Sequence, residues 1–76
     1  MSPPGPIPRG DFVRFLRAEG WAPASTFARH GEKWKRPGAR RPVIVPNRKE
    51  IFPSVIRDSL ETMERTEEDL LRFLRR

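Results

Sequence analysis

Apolar positions change rhythm three times along the chain. From Gly10 to Gly20, Phe12, Phe15 and Leu16 recur at the three- and four-residue spacing of one helical face. Asp11 can cap that helix, and Arg14 and Arg17 fall on its solvent side. Gly20 suits the left-handed residue that ends a helix, with Trp21 as the hydrophobic closure behind it. Between residues 24 and 46 the pattern turns to short extended runs. Strands are predicted at 24–29, 33–36 and 41–45, with turns at Gly31 and at Pro37-Gly38-Ala39. Pro42 places the third strand at a sheet edge or at its own start, and Pro46 ends it. Helical spacing returns from Pro53 to Glu64 in the stripe Val55, Ile56, Ser59, Leu60 and Met63. Thr66 and Asp69 then have the spacing of a capping box, opening a last helix whose apolar side is Leu70, Leu71, Phe73 and Leu74.

Helix, three strands, helix, helix is an α+β order. It predicts a three-stranded antiparallel sheet with helices on one face and a short extra C-terminal helix. Residues 1–9 hold four prolines and one hydrophobic anchor, Ile7, and are expected to form a flexible or extended arm ahead of a single domain at 10–76.

Length and composition narrow the function classes. A chain of 76 residues buries only about 60% of its unfolded surface, so its core is small. The absence of cysteine removes disulfides, and one histidine without cysteine gives no zinc-ligand set, so no metal or cofactor is expected. Val43-Ile44-Val45 is the longest aliphatic run, far short of a membrane span or a signal-peptide core. A soluble cytoplasmic protein is the expectation.

Charge is the strongest functional signal. Residues 29–49 hold Arg29, Lys33, Lys35, Arg36, Arg40, Arg41, Arg48 and Lys49 against one acid, Glu32, a net of +7 in a chain whose total is +6. A basic patch this local favours a polyanion, because each Lys or Arg meeting a phosphate releases condensed counterions. Strand alternation puts Trp34 on one face with Glu32 and Arg36, and Lys33 with Lys35 on the other. Trp34 either packs beneath the helices or stacks on bases; the core reading turns Lys33 and Lys35 outward to a phosphate backbone. Arg40 and Arg41 could instead pair with the acids of the last two helices. Those acids (Glu61, Glu64, Glu67, Glu68 and Asp69) read most simply as an exposed face.

His30 is the only imidazole. It is a turn or strand histidine without a task, or the general base that takes the proton from a ribose 2′-hydroxyl while Arg29, Lys33 and Lys35 stabilise the developing charge.

Three segments carry a family likeness: Leu16-Arg17-Ala18-Glu19-Gly20-Trp21, Arg29-His30-Gly31-Glu32-Lys33-Trp34, and Arg40-Arg41-Pro42-Val43-Ile44-Val45-Pro46. Together they resemble the HicA-type (YcfA-like) toxins, with their helix followed by Gly-Trp, their Gly-Ser-His segment leading into a strand, and their Gly-Arg-Arg then Val-x-Val-Pro strand. The likeness covers roughly residues 10–60. It implies a double-stranded-RNA-binding-domain-like fold (α-β-β-β-α), an mRNA-cleaving endoribonuclease acting without metal, and a HicB-type antitoxin as protein partner. Two positions depart from the pattern. The family's catalytic histidine aligns with Gly31, one residue after His30, and a one-residue offset moves a strand side chain to the other face. The histidine common after the third strand is replaced by Asn47 and Arg48.

The sequence thus points to RNA as partner, with Lys33, Lys35, Arg36, Arg40, Arg41 and Arg48 as backbone contacts and His30 as the candidate base. A non-catalytic nucleic-acid-binding module and a small protein-interaction or inhibitor module are the rival readings.

Overall fold

A computed structural model describes residues 5–28 and 31–75. Its elements run β1 (Ile7–Pro8), α1 (Arg9–Ala18), β2 (Ala22–Ala28), β3 (Gly31–Lys35), β4 (Val43–Val45), β5 (Glu50–Ile51), α2 (Pro53–Met63) and α3 (Glu67–Leu74). The described residues form a small α+β fold: three helices, an antiparallel sheet in the order β2-β3-β4, and a two-stranded sheet of β1 and β5.

Residues 7–9, expected in the N-terminal arm, belong to β1 and α1. Ile7 is buried and pairs with Ile51, and Pro8 pairs with Glu50. That pairing also sets how α1 begins. The Arg9 N–H donates to the Lys49 carbonyl at 2.8 Å, Pro8 takes the N-cap position, and no side chain caps the helix. Asp11 is therefore not the cap; it sits in the first turn and accepts from Arg14. At its other end α1 stops as expected. Gly20 has φ +90°, the Gly20 N–H reaches the Arg17 carbonyl, and the Trp21 N–H reaches the Leu16 carbonyl at 2.9 Å. These two bonds form a Schellman motif and satisfy carbonyls the helix leaves open.

The strands shift by up to two residues from the predicted spans because the ladder, not local propensity, decides where they end. Pro42 has no N–H to give, and β4 begins only at Val43. Glu32 faces Val45, Lys33 faces Ile44, and Trp34 faces Val43. In the β3–β4 connection the Ala39 N–H donates to the Arg36 carbonyl at 3.0 Å, with Pro37 next and Gly38 at φ +87°. Proline followed by a positive-φ glycine is the signature of a type II turn.

The core lies on one side of the three-stranded sheet. Trp34, Val43 and Val45 join Phe12, Phe15 and Leu16 of α1, Ile56, Leu60 and Met63 of α2, and Leu70 of α3. Phe73 of α3 adds an edge-to-face contact with Phe15 at 5.4 Å between ring centres. The capping box of α3 forms as its sequence predicts: Thr66 Oγ1 accepts from the Asp69 N–H, and the Asp69 carboxylate accepts from the Thr66 N–H. Among the described residues no helix is long and apolar enough to cross a membrane.

Candidate nucleic-acid interface

The face of the central strand follows from what Trp34 does. Its side chain is 1% exposed, and its Nε1–H donates to Glu32 Oε1 at 2.8 Å. The same carboxylate oxygen meets Arg9 Nη2 at 3.2 Å, and Arg9 Nε donates to the Pro46 carbonyl at 3.1 Å. The Arg17 guanidinium lies 5.1 Å from the Trp34 ring centre, a cation–π cover over a ring otherwise packed in the core. Trp34 is thus a core residue and not a base-stacking platform. The only acid of the basic segment is engaged by Trp34 and Arg9.

With Trp34 inward, Lys33 and Lys35 are exposed on the opposite face. Two residues apart on a strand, they sit about 6.6 Å apart along its axis. The antiparallel pairing of β3 with β4 places the other cations at the two ends of these strands. Arg36, Arg40 and Arg41 lie in the connection at the Lys35–Val43 end, and Arg48 follows β4 at the Gly31–Val45 end; all four are exposed.

The division of ion pairs is informative. Among the described residues, the pairs are Arg9–Glu32, Arg14–Asp11, Arg57–Glu67, Arg65–Glu19 and Arg72–Glu68. Every arginine in them lies outside the basic segment. Lys33, Lys35, Arg36, Arg40, Arg41 and Arg48 have no acidic partner among the described residues. Glu61 of α2 and Glu64, which caps its end, do not pair with Arg40 or Arg41, although all four line one cleft of about 600 Å³ with Arg36 and Trp21. The Trp21 Nε1–H is buried there without a hydrogen-bond partner among the described residues.

His30 and Arg29 lie outside the described residues. Gly31, where the expected HicA-type likeness would put a histidine, is described and is closed to any side chain. Its φ is +141°; a Cβ there would overlap the Val45 carbonyl oxygen and stand 2.7 Å from the Val45 carbonyl carbon and 2.8 Å from Pro46 Cα. The close approach of two backbones is the reason for the glycine. The alternation that holds from Glu32 to Lys35 also breaks here: Gly31 would share the Lys33 face, yet it is buried. The β2–β3 ladder is irregular in the same region, with register shifts between Pro23 and Ser25 and between Ser25 and Ala28. No group of three or more His, Cys, Asp or Glu side chains among the described residues could hold a metal ion.

One exposed residue escapes the sequence reading. Phe52 precedes the stripe that begins at Val55 and carried no reading in the sequence, yet it is the exposed large hydrophobic of the described chain at 46%. The cause is its backbone. Phe52 is the extended N-cap of α2 (φ −77°, ψ 154°), held so by Pro53 at the first helical position, and its side chain leaves the helical stripe. The Arg48 guanidinium lies 5.7 Å from its ring centre. A phenylalanine before a helix-opening proline, with an arginine four residues earlier, was the available signal. Compared with protein-family models, with curated proteins and with solved structures, the chain finds no match.

Proposed function

We propose that this chain is an RNA-binding domain of the double-stranded-RNA-binding type, akin to the HicA-type toxins, which grips the phosphate backbone with the open face of its sheet. The observation that carries the reading is the division of the cations: Arg9, Arg14, Arg57, Arg65 and Arg72 elsewhere in the chain are matched by acids, while Lys33, Lys35, Arg36, Arg40, Arg41 and Arg48 are exposed and unmatched among the described residues. Exposed cations held apart from acids leave their charge available to phosphates. With Trp34 turned inward, this face has phosphate contacts to offer and no stacked base, which suits recognition of RNA by shape and backbone. A HicB-type partner, if the likeness extends to partners, would have to cover these same cations to silence them.

Affinity for an RNA hairpin as a function of salt tests this. Lys33→Ala with Lys35→Ala should reduce the log–log salt slope by about two. Arg57→Ala with Arg72→Ala, which removes paired arginines, should leave it unchanged. Equal slopes for wild type and the Lys33/Lys35 variant would overturn the reading. Cleavage is a separate matter, and it rests on His30 because position 31 admits no imidazole. Chelator-resistant cleavage abolished by His30→Ala would add a metal-independent endoribonuclease to the binding function. Intact RNA retained by both proteins would leave a binding module.

A further inference from the structure

We infer that Phe52 and Arg48 form a stacking platform for an unpaired base of the bound RNA; this rests on the RNA-binding reading above and adds a second mode of contact to it. A large aromatic side chain in water is a cost to a domain with so small a core, and the ring here has no packing role that would account for it. It is mounted rigidly. On one side Ile51 is fully buried and paired with Ile7, and on the other Pro53 opens an eleven-residue helix. The ring therefore cannot fold back into the stripe that Ile56 and Ser59 occupy.

Its companion has the chemistry for the same ligand. Arg48 lies over the ring at 5.7 Å and has no acidic partner among the described residues. A guanidinium over an aromatic presents a flat cationic surface, and RNA-binding proteins capture splayed-out bases on both aromatic rings and arginine planes. The position is also suited to an RNA end or loop. Arg48 and Phe52 follow β4 at the Gly31–Val45 end of the sheet, where Arg9 ties the chain down through the Pro46 and Lys49 carbonyls. Lys33 and Lys35 would hold the backbone of a stem, and Phe52 a base beyond its last pair.

Binding measured with two probes, a single-stranded oligouridylate and a blunt RNA duplex, separates this from the reading it rests on. Phe52→Ala should weaken oligouridylate binding by about ten-fold or more, leave its salt slope unchanged, and leave duplex affinity unchanged. Phe52→Trp should restore the single-strand affinity. Because the side chain is already 46% exposed, its removal should not unfold the domain, and the circular dichroism spectrum of each variant checks that. Undiminished oligouridylate binding by Phe52→Ala would overturn the platform and leave the phosphate-binding face intact. So would an equal loss on both probes with a shallower slope, since the ring would then serve only to place Arg48. Failure of the wild-type protein to retain either RNA at low salt would overturn both proposals.

Discussion

Substituting Gly31 by alanine probes the one position where backbone geometry and family likeness conflict. An L-residue in the left-handed region costs about 1–2 kcal/mol. The added Cβ would meet backbone atoms only, the Val45 carbonyl and Pro46 Cα, so no flexible side chain can give way, and overpacking of that kind costs about 1–3 kcal/mol. The expected loss is therefore about 2–5 kcal/mol. A domain of this length, 76 residues, has about 4–11 kcal/mol in total, so the variant should be near the edge of folding. At about 4–8 °C per kcal/mol, its Tm should fall by about 8–40 °C. Urea unfolding followed by the fluorescence of the buried Trp21 and Trp34 reads this directly. Gly10→Ala is the control with the opposite sign. Gly10 is inside α1 and nothing lies within 4 Å of its added Cβ, so alanine there should stabilise by about 0.5–1 kcal/mol. A Gly31→Ala protein within about 0.5 kcal/mol of wild type, the range of an ordinary surface change, would refute the close approach. It would also reopen position 31 to an imidazole.

Glu64 ends α2 in the left-handed conformation at φ 58°, where the Arg65 N–H reaches the Leu60 carbonyl and the Glu64 N–H reaches that of Glu61. Glu64→Gly relieves the Cβ clash without losing these bonds and should raise stability by about 1 kcal/mol; an unchanged or lowered Tm would refute that. At α3, hydrogen bonds from the Thr66 N–H and then the Thr66 hydroxyl hold the Asp69 carboxyl below its ordinary value of 3.8, aided by Arg65 and Arg72. A lowered pKa means stability present above the unfolded value and lost as pH falls through the folded one. The stability gap between wild type and Asp69→Asn should thus be full at neutral pH and close below 3.8; a gap that persists in acid would show that charge is not its source.

Local signals carried as far as local bonds do. The end of α1 at Gly20, the turn at Pro37-Gly38 and the Thr66–Asp69 capping box all stand as the sequence predicts, because each is completed within a few residues. The order of the strands, with β3 central and β4 at an edge, was legible too. The pairing of Ile7–Pro8 with Glu50–Ile51 was not. Two-residue strands have no periodicity to read, and the partners are separated by most of the chain. Missing that pairing also misplaced the cap of α1, since the Lys49 carbonyl, and not Asp11, engages the first turn. At the candidate site the cations were legible as residues, but their freedom from acids was not. Phe52 was passed over because it stands just outside the helical stripe, at the N-cap position before Pro53.

Glu32 shows why that freedom matters more than the number of positive charges. In the sequence it is the acid that dilutes the patch, sitting beside Lys33 and two residues before Trp34. In the fold its carboxylate accepts from the Trp34 indole at 2.8 Å and from Arg9 at 3.2 Å, on the face of β3 away from Lys33 and Lys35. Arg9 comes from outside the basic segment, so the pair neutralises a foreign cation and a buried donor instead of a lysine of the open face. An acid on the open face would instead lower the counterion release that phosphate contact supplies. The packing of Trp34 and the charge of the face are therefore one arrangement: the indole that fills the core also directs the segment's only acid away from the face that carries Lys33 and Lys35.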